Sequence, residues 1–210
     1  MKITAFQIEA AETVLAQVLP MTQPADAVLS GYFRGYRALG QHDRAFVAET
    51  VFGVLRRRYG LEYHTGAATP RQLLLAYLNR VAGVSLRQLE SLLTPADLQW
   101  AAALAAPADA PPLHVAAELP QWLTAMLTAE SPDDEILTLG RALQRAAPLD
   151  LRVNTLLTTR NDVLKQLAAE GMAATPTPYS PVGVRLEAKP ALSRHPLFLS
   201  GRIEVQDEGS

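Results

Sequence analysis

The sequence predicts a mainly α fold that gives way to a small, incomplete α+β unit. Up to about residue 148 the apolar residues recur at i, i+3 and i+4, the period of helices with one buried face. After Ala147-Pro148 they fall into short alternating runs, the period of strands. Composition agrees. Of the 210 residues 49% are apolar but only 6% aromatic, which favours close-packed helices over a β-sandwich.

Taken in order, the first helix spans 4–18 and lines up Ile8, Ala11, Leu15 and Val18. A second, over 25–39, carries Val28, Leu29, Tyr32, Phe33 and Tyr36, and a third, over 43–58, carries Phe46, Val47, Val51, Val54 and Leu55. Thr69-Pro70, Thr94-Pro95 and Ser131-Pro132 each put a capping hydroxyl before a proline at the first helical position, where its missing N–H loses no bond. Ser85 with Gln88 reads as a capping box. Asp133, Asp134 and Glu135 suit the first turn of a last helix, where the dipole favours anions. The proline-rich stretch 106–112 reads as a loop.

Beyond residue 148, LRVN (151–154) is a strand candidate. Thr159 with Asp162 starts a helix running to about Glu170, and Gly171 suits the left-handed residue after it. ATPTPYSP (174–181) reads as a turn-rich connection, VGVRLE (182–187) as a strand and HPLFLSG (195–201) as a loop. Ile203 to Gln206 alternate as a last strand. The order β-α-β-loop-β is the beginning of an α+β unit.

Net charge is −2, so any contact with a polyanion must come from a local patch. There is no cysteine, which removes disulfides, thiolate nucleophiles and Cys-ligated zinc. The absence of cysteine fits a cytoplasmic protein, and no signal peptide or apolar run of membrane-spanning length shows in the sequence. Phosphate-loop and dinucleotide fingerprints are missing. Gly31, Gly35 and Gly40 suit helix contacts or turns, and His42, His64, His114 and His195 have no metal-ligand spacing. Asp207 and Glu208 are neighbours, so on a strand they point to opposite faces, and turn and solvent roles suit them.

Arginine is the exception. Arg34, Arg37, Arg44, Arg56, Arg57 and Arg58 face only Asp43 and Glu49 over the same 25 residues. The guanidinium fork suits phosphate, which makes these six candidates for RNA contact. An Arg-Arg-Arg helix end equally stabilises a helix C-terminus, so both readings stand. Arg152 and Asn154, on one face of a strand, form a second small polar pair.

Three stretches resemble a known family. PADAVLSGYFRGYRALGQHDRAFVAETVFGVLRRR (24–58) resembles the first helices of the NusB-like domain in bacterial Sun/Rsm-type RNA cytosine-5 methyltransferases. The stretch 147–187 resembles the small RNA-binding subdomain that follows it, and HPLFLSGRIEVQDEGS (195–210) resembles the entry motif of the methyltransferase domain. The resemblance implies a NusB-like helical RNA-binding domain over 1–147, an α+β RNA-binding subdomain over 148–200, and the entry strand of an absent domain over 201–210. It implies an enzyme that uses S-adenosylmethionine and cysteine chemistry to methylate a cytosine of ribosomal RNA. With no cysteine and no cofactor loop here, the catalytic roles fall on no residue of this chain, and this stretch is expected to bind neither cofactor nor metal. Gln206 and Ser210 would lie at the edge of the cofactor domain. The implied partner is ribosomal RNA or a ribosomal subunit, bound by a monomer, with no membrane or DNA. A free-standing NusB-like module binding RNA or protein without catalysis is the alternative. Residues 202–210 are expected to be poorly ordered, or paired only with the small unit's own strands.

Overall fold

The computed structural model describes residues 3–66, 68–104, 109–145, 147–190 and 192–210. Two compact units make up the chain, Met1–Arg145 and Ala146–Ser210.

The first unit is helical. Helix α1 (Ala5–Val18) starts with a capping box in which the Thr4 hydroxyl accepts from the Gln7 amide and the Gln7 side chain accepts from the Thr4 amide. Its apolar stripe of Ile8, Ala11, Leu15 and Val18 is buried against α3 (Gln41–Arg56), which supplies Val47, Val51 and Val54. The buried Gln7 side chain also donates to Asp43 Oδ1 at 2.8 Å, joining the two helices by a polar bond.

Helix α2 (Ala25–Gly35) is shorter than expected; the chain leaves it at Tyr36, whose ring stacks on Tyr32 at 4.4 Å. The expected third helix is also divided. It ends at Arg56, Arg57 takes a non-helical turn, and α4 (Arg58–Thr65) begins at once. Helix α5 (Pro70–Ala76) runs on into a π-helical turn, Tyr77–Val81. Gly53 of α3 meets the Tyr77 ring so closely that a Cβ there would collide with it. Next come α6 (Leu86–Leu89) with a 3-10 turn, α7 (Pro95–Ala103), α8 (Leu113–Ala117), α9 (Gln121–Leu127) and α10 (Asp133–Leu143).

The starts of α5, α6 and α7 carry the expected caps at Thr69, Ser85 and Thr94. The start of α10 does not. Pro132 is its N-cap, Ser131 makes no capping bond, and the acidic Asp133, Asp134 and Glu135 fill the first turn. Within the expected loop 106–112, residues 106–108 lie outside the described residues.

Arg71 fastens three helices. Its guanidinium binds both Asp97 oxygens at 2.8–3.0 Å and Glu12 at 2.8 Å, linking α5, α7 and α1. The hydrogen bonds from Arg71 and Thr94 outweigh burial and lower the Asp97 carboxyl to about 2. Glu118 plays a similar part further on. Its backbone is left-handed (φ 55°), and its carboxylate accepts from the Tyr59 and Gly60 amides at 2.9 and 3.1 Å. Those amides lie in the first turn of α4, where no intrahelical acceptor exists. Burial pushes this carboxyl up, against the pull of the two amides and Arg57.

The second unit is a four-stranded antiparallel sheet in the order β2-β3-β1-β4. Its elements are β1 (Leu149–Val153), α11 (Arg160–Ala169), β2 (Ala174–Pro176), β3 (Gly183–Leu186), a 3-10 turn, α12 (Pro196–Leu199) and β4 (Ile203–Val205). This is the βαββαβ arrangement of a ferredoxin-like fold. The expectation of an α+β unit holds, but the unit is not incomplete. The stretch read as a connection contains β2, and the stretch read as a loop contains α12, capped by His195 Nδ1. Residues 203–205 pair with β1, and Gln206 N donates to Asp150 O, so the last strand lies in the unit's own sheet. Leu151, Val153, Val184, Leu186 and Ile203 form the buried face of the sheet, packed with Val163 and Leu167 of α11 and with Leu192 and Leu197.

Candidate nucleic-acid interface

The six arginines of the helical unit do not form one patch. Arg34 and Arg37 lie at the end of α2 and in the turn after it, and Arg44 sits in the first turns of α3. Arg56, Arg57 and Arg58 stand at the other end of α3, about 18 Å along the axis from Arg44 at 1.5 Å per residue.

Within each group some side chains are engaged by the fold. Arg44 donates from Nε to the Leu39 carbonyl at 2.9 Å and lies over the Phe33 ring at 5.6 Å, which closes the α2–α3 turn. Arg58 binds Glu62 at 2.6 Å, one helical turn on, and reaches the Leu19 carbonyl at 3.3 Å. The remaining four, Arg34, Arg37, Arg56 and Arg57, are exposed. The acidic counterweight is reduced as well, because Asp43 is taken up by Gln7 and by the Gly40 amide. The division between engaged and exposed arginines could not be read from spacing; it depends on which carbonyls and carboxylates the fold brings near.

In the α+β unit, strand pleat puts Asp150, Arg152 and Asn154 on the face opposite the core, with Arg185 and Glu204 beside them by register. Arg152 binds Glu204 at 3.2 Å and Gln206 at 3.4 Å. Asn154 donates to the Gly201 carbonyl at 3.0 Å and accepts from the Leu156 amide, so it shapes the turn after β1. A groove of about 510 Å³ opens there, lined by Arg152, Asn154, Leu156, Phe198 and Glu204 among others.

Sequence reasoning missed an ion cluster on the same face, with two buried carboxylates around a half-exposed arginine. Arg185 holds both oxygens of the buried Asp150 at 2.7 Å and lies 3.7 Å from Glu208. The hydrogen bonds from Arg185 hold the Asp150 carboxyl below its usual range against the effect of burial. Glu208, expected at a solvated turn, is instead largely buried and accepts from the Tyr179 and Ser180 amides at 2.6 and 2.8 Å. Burial alone would raise its carboxyl; those two amides, Thr177 and Arg185 together lower it. The signal available was the alternation of Asp150, Arg152 and Arg185 on strands with apolar partners.

Gln206 and Ser210 border a smaller groove of about 240 Å³ together with Asp150, Arg152, Ser180 and Glu208. Both its inner carboxylates are engaged by Arg185 and backbone amides. Among the described residues no three His, Cys, Asp or Glu side chains are placed to hold a metal ion, and no helix is long and apolar enough to cross a membrane.

Comparison with known proteins agrees with this architecture. Residues 119–193 match the family described as the RsmF/B-like methyltransferase ferredoxin-like domain. That match begins upstream of the compact α+β unit and takes in α9 and α10. The chain is 28% identical to the ribosomal RNA small subunit methyltransferase B of Xanthomonas campestris pv. campestris, over 94% of this chain and 50% of that protein. It is 28% identical to the protein of the same name from Xylella fastidiosa, over 79% of this chain and 43% of that protein. The chain thus spans about half the length of the curated relatives it matches. The crystal structure of PH0851 has a similar fold, with a TM-score of 0.66 and 14% identity over 99% of this chain and 54% of that one. By these matches the chain is similar to the N-terminal part of a Sun/Rsm-type methyltransferase, with an RsmF/B-like ferredoxin-like domain at residues 119–193.

Proposed function

We propose that this chain is the RNA-recognition region of an S-adenosylmethionine-dependent ribosomal RNA (cytosine-5)-methyltransferase whose catalytic half lies beyond Ser210. One observation carries the reading: nearly all of the chain aligns with half of a protein named for methylating ribosomal RNA of the small subunit. The exposed arginine pairs at the two ends of α3 support it, because exposed cations remain accessible to phosphate, although Arg57 also lies within reach of the Glu118 carboxylate's field. In this reading residues 1–147 form a NusB-like RNA-binding domain and 148–200 an RNA-binding subdomain. Residues 201–210 lead into the cofactor domain, with Gln206 and Ser210 at its edge. Arg34, Arg37, Arg56 and Arg57 contact phosphates, Arg152 and Asn154 contact RNA from the sheet, and Arg44 and Arg58 hold their neighbours in place. The protein works in the cytoplasm as a monomer, on ribosomal RNA or a ribosomal subunit.

The test is a methyl-transfer assay with the chain extended through its following coding sequence. Transfer of labelled methyl groups from S-adenosylmethionine to cytosine C5 of ribosomal RNA is expected. Removing residues 1–145 should raise KM for the RNA far more than it lowers kcat. Absence of transfer, or a truncation that leaves KM unchanged, would overturn the reading.

A further inference from the structure

Tyr179 is 90% exposed, and no other aromatic side chain among the described residues matches it; Trp122 follows at 66%. A tyrosine in a surface turn is ordinarily unremarkable, since single apolar side chains scatter over every surface. Here the turn that bears it is unusually well fastened.

The turn joins β2 to β3. Every backbone N–H it possesses from 177 to 183 has an acceptor. Thr177 N donates to the Gly183 carbonyl, Gly183 N to the Ser180 carbonyl and Val182 N to the Ser180 hydroxyl, at 3.2–3.4 Å. Tyr179 N and Ser180 N both donate to Glu208 Oε1. Pro178 and Pro181 have no N–H, and each fixes its own φ. The Arg160 guanidinium adds a bond to the Ser180 carbonyl at 3.0 Å. Thr177 is buried against Gly183, so closely that a Cβ on residue 183 would collide with its hydroxyl. The largest side chain on this rigid backbone buries almost nothing. Stability of the unit does not account for it.

The surroundings suit a nucleic acid. Of the three carboxylates that line the groove, Asp150 is answered by the Arg185 fork and Glu208 by two amides and Arg185, which leaves the exposed Asp207. Arg160 stands against the turn, and the groove beside it is lined by Arg152, Ser180 and Gln206, whose side chains carry donors for phosphate and sugar. An aromatic ring held out on a prearranged backbone loses little freedom on binding, which is what a stacking contact requires.

We propose that Tyr179 is a stacking platform for an unpaired base of single-stranded RNA, and that Glu208 is the positioning residue that holds its turn. This rests on the RNA-recognition reading and adds to it a ligand form, an unpaired base, and two residues. Paired bases present no open face, so duplex RNA should not use the site.

The experiment uses the 210-residue chain with a fluorescein-labelled single-stranded oligoribonucleotide of about 12 nucleotides and its duplex, followed by anisotropy at low salt. Tyr179→Ala should weaken single-strand binding about tenfold and leave duplex binding unchanged. Tyr179→Phe should bind like the parent, because the ring suffices. Both variants should melt at the parent's temperature. Glu208→Ala should weaken single-strand binding and speed amide exchange at Tyr179 and Ser180. A Tyr179→Ala chain that binds single strands like the parent overturns the proposal, as does equal loss on duplex. If the parent binds neither RNA, the recognition reading itself fails and the inference falls with it.

Discussion

Each unit places an arginine between two carboxylates, and the two clusters serve different ends. In the helical unit Arg71 joins Asp97 and Glu12, so that α5, α7 and α1 meet at one point inside the body. In the α+β unit Arg185 joins Asp150 and Glu208, so that the open face of the sheet meets the last residues of the chain and, through Glu208, the Tyr179 turn. The first cluster fixes the scaffold. The second fixes a surface. The same chemistry of forked guanidinium and carboxylate therefore carries different information depending on what its carboxylates hold.

Breaking the scaffold cluster should have the largest effect. Arg71→Ala leaves Asp97, only 16% exposed, without its partner and is expected to destabilise the helical unit by about 3 kcal/mol. Both tryptophans, Trp100 and Trp122, lie in that unit, so urea unfolding followed by their fluorescence reports it alone. A change below about 1 kcal/mol would remove Arg71 from the scaffold role.

Acid should then distinguish the clusters. The Asp97 carboxyl is lowered in the folded state, so its contribution is present above its ordinary value near 3.8 and is lost as pH falls toward about 2. The tryptophan signal should report a loss on the order of 1–2 kcal/mol across that window, and Asp97→Asn should flatten it. Asp150 and Glu208 are lowered too, so the α+β unit also loosens only as pH falls below the ordinary carboxylate range. Arg185→Ala leaves Asp150, 3% exposed, without its fork, and should destabilise the α+β unit alone. Amide exchange should quicken most at Tyr179, Ser180 and Glu208, while the tryptophan-reported stability of the helical unit stays constant. Unchanged exchange at these three amides would contradict the role given to Arg185.

The two units also differ in how openly the sequence states them. Capping boxes at Thr69, Ser85 and Thr94 mark helix starts because each needs only residues three apart. The expected cap at Ser131 fails for the same local reason: Pro132 takes the N-cap position and leaves the hydroxyl outside. The break at Arg57 was hidden, since 43–58 keeps helical periodicity across it. What turns the chain there is distant, the Glu118 carboxylate receiving the first amides of α4. Strand β2 was illegible because it is three residues long, ends in proline and buries little. Helix α12 was illegible because it has four residues and an unusual histidine cap. At the candidate interface, sequence marked the arginines, Arg152 and Asn154. It could not separate Arg44 and Arg58, which the fold employs, from Arg56 and Arg57, which it leaves exposed. Nor could it find Glu208, whose partners lie 28 and 29 residues away.

That separation supports the RNA contact in the proposed function, and one measurement tests it most directly: the affinity of the chain for ribosomal RNA as a function of salt. The parent should lose affinity steeply as salt rises. Arg56→Ala with Arg57→Ala should weaken binding and reduce the slope of log K against log salt by roughly 1.5, two phosphate contacts at about 0.7–0.9 each. Arg58→Ala, which removes the pair with Glu62, should leave the slope as it is and lower stability by about 0.5 kcal/mol. A double variant that binds with the parent's affinity and slope would contradict the account.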